Sequence, residues 1–256
     1  MRRVALNRLA LAAVASCLLA RAASADIVIT EVDPYGSNGS DGYSADWFEL
    51  TNTGTSAVSI AGWSMVDNHA ASNTNNPYGT GNTISIGNAS NAAALLTLAG
   101  GVTTLNPGQT ALFLESSSDA AGSGTLIGNF ESAWFGSSVP TGLLIGTYDD
   151  AGNFGLSQTA DMVNIFSGNS ASSALVASVA FGADSGTPVG TFDNTLGANN
   201  TTLTTKSAVG VNGAFLSHSG LEIGSPDVAP VPLPAALPLL LSGLGLFGAA
   251  RRARKA

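Results

Sequence analysis

The chain has 256 residues, 45% of them hydrophobic and only 10% charged, with a formal net charge of −8, a length that suits one or two domains. That figure hides an asymmetry: eight of the nine basic residues lie in the first 21 and the last 6 positions, so residues 26–227 set all seventeen acidic side chains against Lys206 alone, a net of −16. One lysine cannot build a basic groove for phosphate backbones, which excludes direct nucleic-acid binding and disfavours anionic lipid or acidic polysaccharide unless divalent cations bridge the surfaces.

In chain order, the first element is an export signal. Arg2, Arg3 and Arg8 form a basic start, Leu9 to Ala20 an apolar run, and Ala23-Ser24-Ala25 an A-x-A cleavage site that makes Asp26 the new N-terminus. Val14-Ala15-Ser16-Cys17 loosely matches a lipoprotein signal instead, but the apolar run continues past Cys17 through Leu18 and Leu19, which favours the Ala25 site. Cleavage there leaves a cysteine-free protein, held by neither disulfides nor a cysteine-ligated zinc.

The body reads as all-β: short apolar runs recur every ten to fifteen residues in a background rich in Gly, Ser, Thr, Asn and Ala. Strands are predicted at Ile27 to Val32, Trp47 to Asn52, Trp63 to Val66, Thr83 to Ile86, Leu95 to Leu98, Ala111 to Glu115, Leu143 to Thr147, Met162 to Phe166 and Leu175 to Phe181. Alternation of Trp47, Glu49 and Thr51 against Phe48, Leu50 and Asn52 predicts one buried face. Phe130 to Phe135 is the one predicted helix, packed by its aromatics against a sheet. Nine strands without alternating helices favour a two-sheet sandwich, in which Trp47 and Trp63 are core anchors. After Gly224, Pro226, Pro230 and Pro232 predict an extended exit linker.

Active-site chemistry is hard to find in this body. Nucleophilic catalysis needs a base, and the two histidines, His69 and His218, lie in polar loop-like sequence outside any motif. Asp33, Asp41 and Asp46 border a Gly/Asn/Ser-rich stretch whose oxygens are a candidate calcium site, as are Asp149, Asp150 and Asn153. None fits a defined calcium loop, and solvated turn residues are the simpler reading of them. Glu49 alternates with core positions and reads as a strand residue satisfied by its neighbours.

The last 26 residues carry three features in order: Val231-Pro232-Leu233-Pro234-Ala235, an apolar run to Ala250, and the cations Arg251, Arg252, Arg254 and Lys255. The run is near the lower length limit for a spanning helix, and the cations behind it act as a cytoplasmic stop-transfer cluster that leaves the body outside. This order resembles the PEP-CTERM sorting signals, specifically the VPLPA variant. The resemblance implies recognition by an exosortase, a membrane cysteine transpeptidase thought to cleave near the motif and to release or re-attach the body.

Within the body, Ile27 to Val32, Asp46-Trp47-Phe48-Glu49-Leu50-Thr51-Asn52-Thr53-Gly54 and Val58 to Met65 resemble the opening of the lamin-tail domain. Leu105-Asn106-Pro107-Gly108-Gln109 with Ala111 to Leu114, then Leu156-Ser157, Asp161 to Phe166 and Val176 to Gly182, follow in the family's order. The resemblance implies an immunoglobulin-like β-sandwich, lengthened by loops at 67–82 and 116–142. Residues 185–225 match nothing familiar.

The sequence thus predicts a signal peptide (1–25), a lamin-tail-like sandwich (26–225) and a linker, sorting motif, transmembrane helix and basic tail (226–256). The expected function is non-catalytic: an exported surface or extracellular-matrix protein acting in adhesion or display, without cofactor unless calcium binds. Expected partners are signal peptidase, the Sec export machinery, an exosortase and extracellular polysaccharide, not nucleic acid. The alternatives are a carbohydrate-binding module, if Trp47, Trp134 or Tyr78 is exposed on a flat strip, and a secreted hydrolase, if His69 or His218 meets a serine and a carboxylate.

Overall fold

The computed structural model describes residues 27–35, 42–67, 94–116, 124–149, 155–169, 173–183 and 186–229. The strands among them are β1 (Ile27–Asp33), β2 (Trp47–Asn52), β3 (Val58–Ser59), β4 (Ser64–Asp67), β5 (Ala94–Leu98), β6 (Thr104–Leu105), β7 (Thr110–Ser116) and β8 (Ile145–Asp149). They continue with β9 (Asp161–Phe166), β10 (Leu175–Phe181), β11 (Val189–Gly190), β12 (Phe192–Asp193), β13 (Thr201–Leu203), β14 (Phe215–Leu216) and β15 (Glu222–Gly224). One α-helix, α1 (Gly124–Phe135), joins them. The strands expected from Trp47 and from Leu175 begin and end where predicted, whereas Thr83 to Ile86 lies outside the described residues.

Ten strands bond in the order β12-β1-β2-β7-β8-β5-β4-β9-β10-β13. β5 changes partner midway: Ala94 and Leu95 pair with β4, and Leu96 to Leu98 pair with β8. That corner turns one hydrogen-bonded ribbon into two facing layers, the sandwich expected for an immunoglobulin-like fold. Ile29, Phe48, Leu50 and Phe113 from one layer meet Met65, Ile165, Val179 and Phe181 from the other in a single core. Each such side chain contributes about 1.5–3 kcal/mol through removal from water. Where β8 runs beside β5 the approach is close: a Cβ on Gly146 would overlap the Thr97 carbonyl oxygen, so only glycine fits there.

The expectation of one buried face on β2 is corrected, because all six of its residues are buried. A second core lies on its far side, where Trp47, Leu112, Leu114 and Ile145 are covered by Ile127, Phe130, Ala133 and Trp134 of α1. Those helix residues recur at three- and four-residue spacing and so share a face. The helix begins at Gly124, six residues ahead of the expected start, within what read as a loop. Gly124, Thr125 and Gly128 are weak helix formers, and the sheet beneath supplies what propensity lacks.

Residues 186–229 are packed structure, including a sheet of β11, β15 and β14. Thr201–Leu203 pairs in parallel with β10, and directly after it the Asp193 and Ser207 amides bond to the Thr205 and Thr191 carbonyls at 3.0 and 2.9 Å. One short segment thereby covers the β10 edge and the β12 edge together, leaving fewer free strand groups for other chains to pair with. Ser225 and Pro226 are buried, so the packed body includes positions expected to open a linker.

Candidate functional site: a buried acidic seam

The unusual chemistry lies where β1 meets β2. Their register shifts between Ile29 and Glu31, a bulge that lets both Ile29 and Val32 enter the sandwich core. Thr30 and Glu31 are left on the far face, with Glu31 directly opposite Glu49. Both glutamates are only 1% exposed.

Neutral groups hold them. Glu31 accepts from the Thr191 hydroxyl, from the Ser225 amide at 2.8 Å, and more loosely from the Ser207 and Ser225 hydroxyls at 3.4 Å. Glu49 accepts from the Thr30 hydroxyl at 2.6 Å and the Asp227 amide at 2.7 Å, and Asp227 in turn accepts from Thr110 at 3.1 Å. Burial pushes the Glu31 carboxyl up to about 7, against the Thr191 and Ser225 bonds and with repulsion from Asp33 and Asp193. Burial and then the charge of Glu31 raise Glu49 well above the usual carboxylate range. Burial likewise raises Asp227. Desolvation is the largest influence on both, ahead of every hydrogen bond and charge that acts on them. Lys206, the one basic residue of the body, lies 3.4 Å from the Phe192 ring centre.

The seam continues into the second core through Gly224. A Cβ there would lie 2.7 Å from Glu31 Oε1 and 2.8 Å from Trp134. Beyond it, the Tyr43 hydroxyl donates to Glu222 at 2.7 Å and accepts from the Trp47 indole N–H at 3.1 Å and the Trp134 indole N–H at 3.4 Å.

The residues singled out in the sequence fare differently. Asp33 and Asp46 are buried and take backbone amides, from Tyr35 at 3.0 Å and Leu156 at 3.0 Å; Asp41 lies outside the described residues. Among the described residues no three His, Cys, Asp or Glu side chains are grouped to hold a metal. Trp47 and Trp63 are core residues as expected, and Trp134 is 1% exposed, so neither Trp47 nor Trp134 offers a sugar platform. Tyr78 and His69 lie outside the described residues, and His218 is exposed with its ring across Gly136. Glu49 is the satisfied strand residue that its alternation suggested. Ala23, Ala25 and Asp26, Val231 to Ala235 and Arg251, Arg252, Arg254 and Lys255 also lie outside the described residues. No helix among the described residues is long and apolar enough to cross a membrane.

The family model of the lamin tail domain matches residues 20–183. The chain belongs to the lamin tail domain family. No curated protein and no solved structure matches it. In this lamin tail domain both seam glutamates fall inside the family match, while Thr191, Ser207, Ser225 and Asp227, which bond to them, fall beyond its end. The seam therefore joins the family domain to the segment that covers it. Sequence reasoning missed it, although the three-residue step from Ile29 to Val32 in a strand of period two was a readable sign of a bulge.

Proposed function

We propose that this lamin tail domain protein is a bacterial envelope protein, exported by the Sec route and sorted by an exosortase, whose body serves adhesion or display without catalysis. What carries the reading is the ordered C-terminal signature: Val231 to Ala235, an apolar run, and four cations within the last six residues. An anonymous anchor needs an apolar span and flanking charge but no such motif. A body of net charge −16 with its three tryptophans inside also suits a module that stays soluble and unreactive outside the cell.

The test is cell fractionation with mass spectrometry of both termini, in wild-type cells and in cells lacking the exosortase. The expected product begins at Asp26 and has lost Arg251 to Lys255, and it keeps those residues and stays in the membrane when the exosortase is absent. Recovery from the cytosol of chains with both Met1 and Ala256 would refute the proposal.

A further inference from the structure

We propose that Glu31 and Glu49 form a proton-dependent clasp on the C-terminal strap Ser225–Asp227, closed while the pair holds protons and loosened as both carboxyls ionise. The geometry has three parts. The two carboxyls face each other across adjacent strands and are both buried. Each takes a backbone amide from the same short strap, Ser225 on Glu31 and Asp227 on Glu49. Like charges crowd them, Asp33 on β1, Asp193 on β12 and Asp227 on the strap, and the further titratable groups on the elements packed against the pair are Glu222 on β15 and Lys206 beside Ser207.

The direction follows from that arrangement. An ionised carboxylate accepts an amide hydrogen bond more strongly than a neutral acid. Here that gain is outweighed by removal from water and by the like charges of Asp33, Asp193 and Asp227, so the covered state favours the protonated pair. Lifting the strap admits water and returns both groups toward ordinary carboxylate behaviour, so each proton lost favours the lifted state. The strap is also held by the Asp227 bond to Thr110, by a turn from the Val228 amide to the Ser225 carbonyl and by burial of Ser225 and Pro226, none of which depends on the protons of the pair. β10 is paired with β9 from Leu175 to Phe181, with one irregularity between Leu175 and Ala177, and serves as the reference strand.

One consequence rests on the sorting reading above. Asp227 stands four positions ahead of Val231, so a closed clasp limits the motif to about 14 Å of extended chain from the folded surface. Loosening the strap lengthens that reach.

The clasp is tested by hydrogen exchange with mass spectrometry on the full chain in detergent, comparing peptides covering 222–229 and 175–181 at pH 5.5 and pH 8, corrected for intrinsic exchange. The expected result is a loss of protection at least about tenfold greater in the strap than in β10 on raising the pH, in keeping with the displacement of Glu31. In the double variant Glu31→Gln, Glu49→Gln that difference disappears, because an amide mimics the protonated acid. Equal changes in strap and core, or an unchanged strap, overturn the clasp in the wild-type protein alone, and so does a double variant that keeps the pH dependence. Terminal processing is not read by this measurement, so the clasp and the sorting proposal fail separately.

Discussion

Replacing Trp134 by alanine separates a core role from a ligand-platform role. The indole lies edge-on to Trp47 at 5.6 Å and to Phe215 at 5.8 Å, is tilted against Phe130 at 6.0 Å, and directs its N–H to Tyr43 at 3.4 Å. It thus ties α1, β2 and the C-terminal sheet at a single point. Truncating a fully buried tryptophan removes its transfer free energy and leaves a cavity, together about 3–5 kcal/mol. For a body of about 200 residues that lowers the melting temperature by roughly 6–20 °C. Trp134→Phe keeps most of the apolar contact and loses the hydrogen bond, so it falls between wild type and Trp134→Ala. Thermal and urea unfolding of the full chain in detergent, followed by circular dichroism, measure the loss. A glycan array run on the same proteins at low temperature should give one pattern for all three. A loss below about 1 kcal/mol for Trp134→Ala, or loss of glycan binding at unchanged stability, would refute the placement of this ring in the core.

Three further outcomes follow from the packing and the seam. Gly146→Ala forces a Cβ against the Thr97 carbonyl where β8 runs beside β5; we expect a loss of more than about 2 kcal/mol in urea unfolding, or insoluble protein. Gly224→Ala sets a methyl group against Glu31 and Trp134, and its cost should shrink in a Trp134→Phe background, read as coupling in a double-mutant cycle. With Glu31 at about 7 in the folded state and 4.5 as its ordinary value, its contribution to stability is full below about pH 4.5, declines as pH rises, and is gone above about pH 7. That amounts to about 3 kcal/mol for the one group, so unfolding midpoints should be higher at pH 5 than at pH 8, and Glu31→Gln should flatten the trend.

How far the fold was legible follows from what each pattern records. Trp47 to Asn52 and Leu175 to Phe181 announced themselves because β-branched and aromatic residues crowd short runs bounded by turn formers, and the bounds hold. What alternation could not convey is that the polar set of β2 is buried as well: Glu49 and Thr51 look like a solvent face until a second layer covers them. α1 was half legible, since Phe130, Trp134 and Phe135 mark its last turns while glycines disguise its first. Residues 186–229 were the least legible stretch. Their strands are two or three residues long and have no period to read; they are fixed by the edges they cover rather than by their own pattern.

The seam was hidden for a related reason, and it bears on why so acidic a body folds. Six of its described carboxylates, Glu31, Asp33, Asp46, Glu49, Asp161 and Glu222, are buried, away from the water and salt that relieve charge at a surface. Glu31 and Glu49 have no such relief, and a buried carboxyl is cheapest when it is protonated and every oxygen is taken by a donor. The bulge turns Thr30 toward Glu49 and turns Glu31 toward Thr191, while Ser225 and Asp227 bring amides from almost two hundred residues away. Local sequence therefore places the acids, and only closure of the chain's distant end makes them tolerable. The apolar equivalent, leucine at both positions, would leave the Ser225 and Asp227 amides without acceptors. It should therefore free the strap while raising the burial of nonpolar area, an outcome that hydrogen exchange and urea unfolding measured together would distinguish from simple loss of the fold.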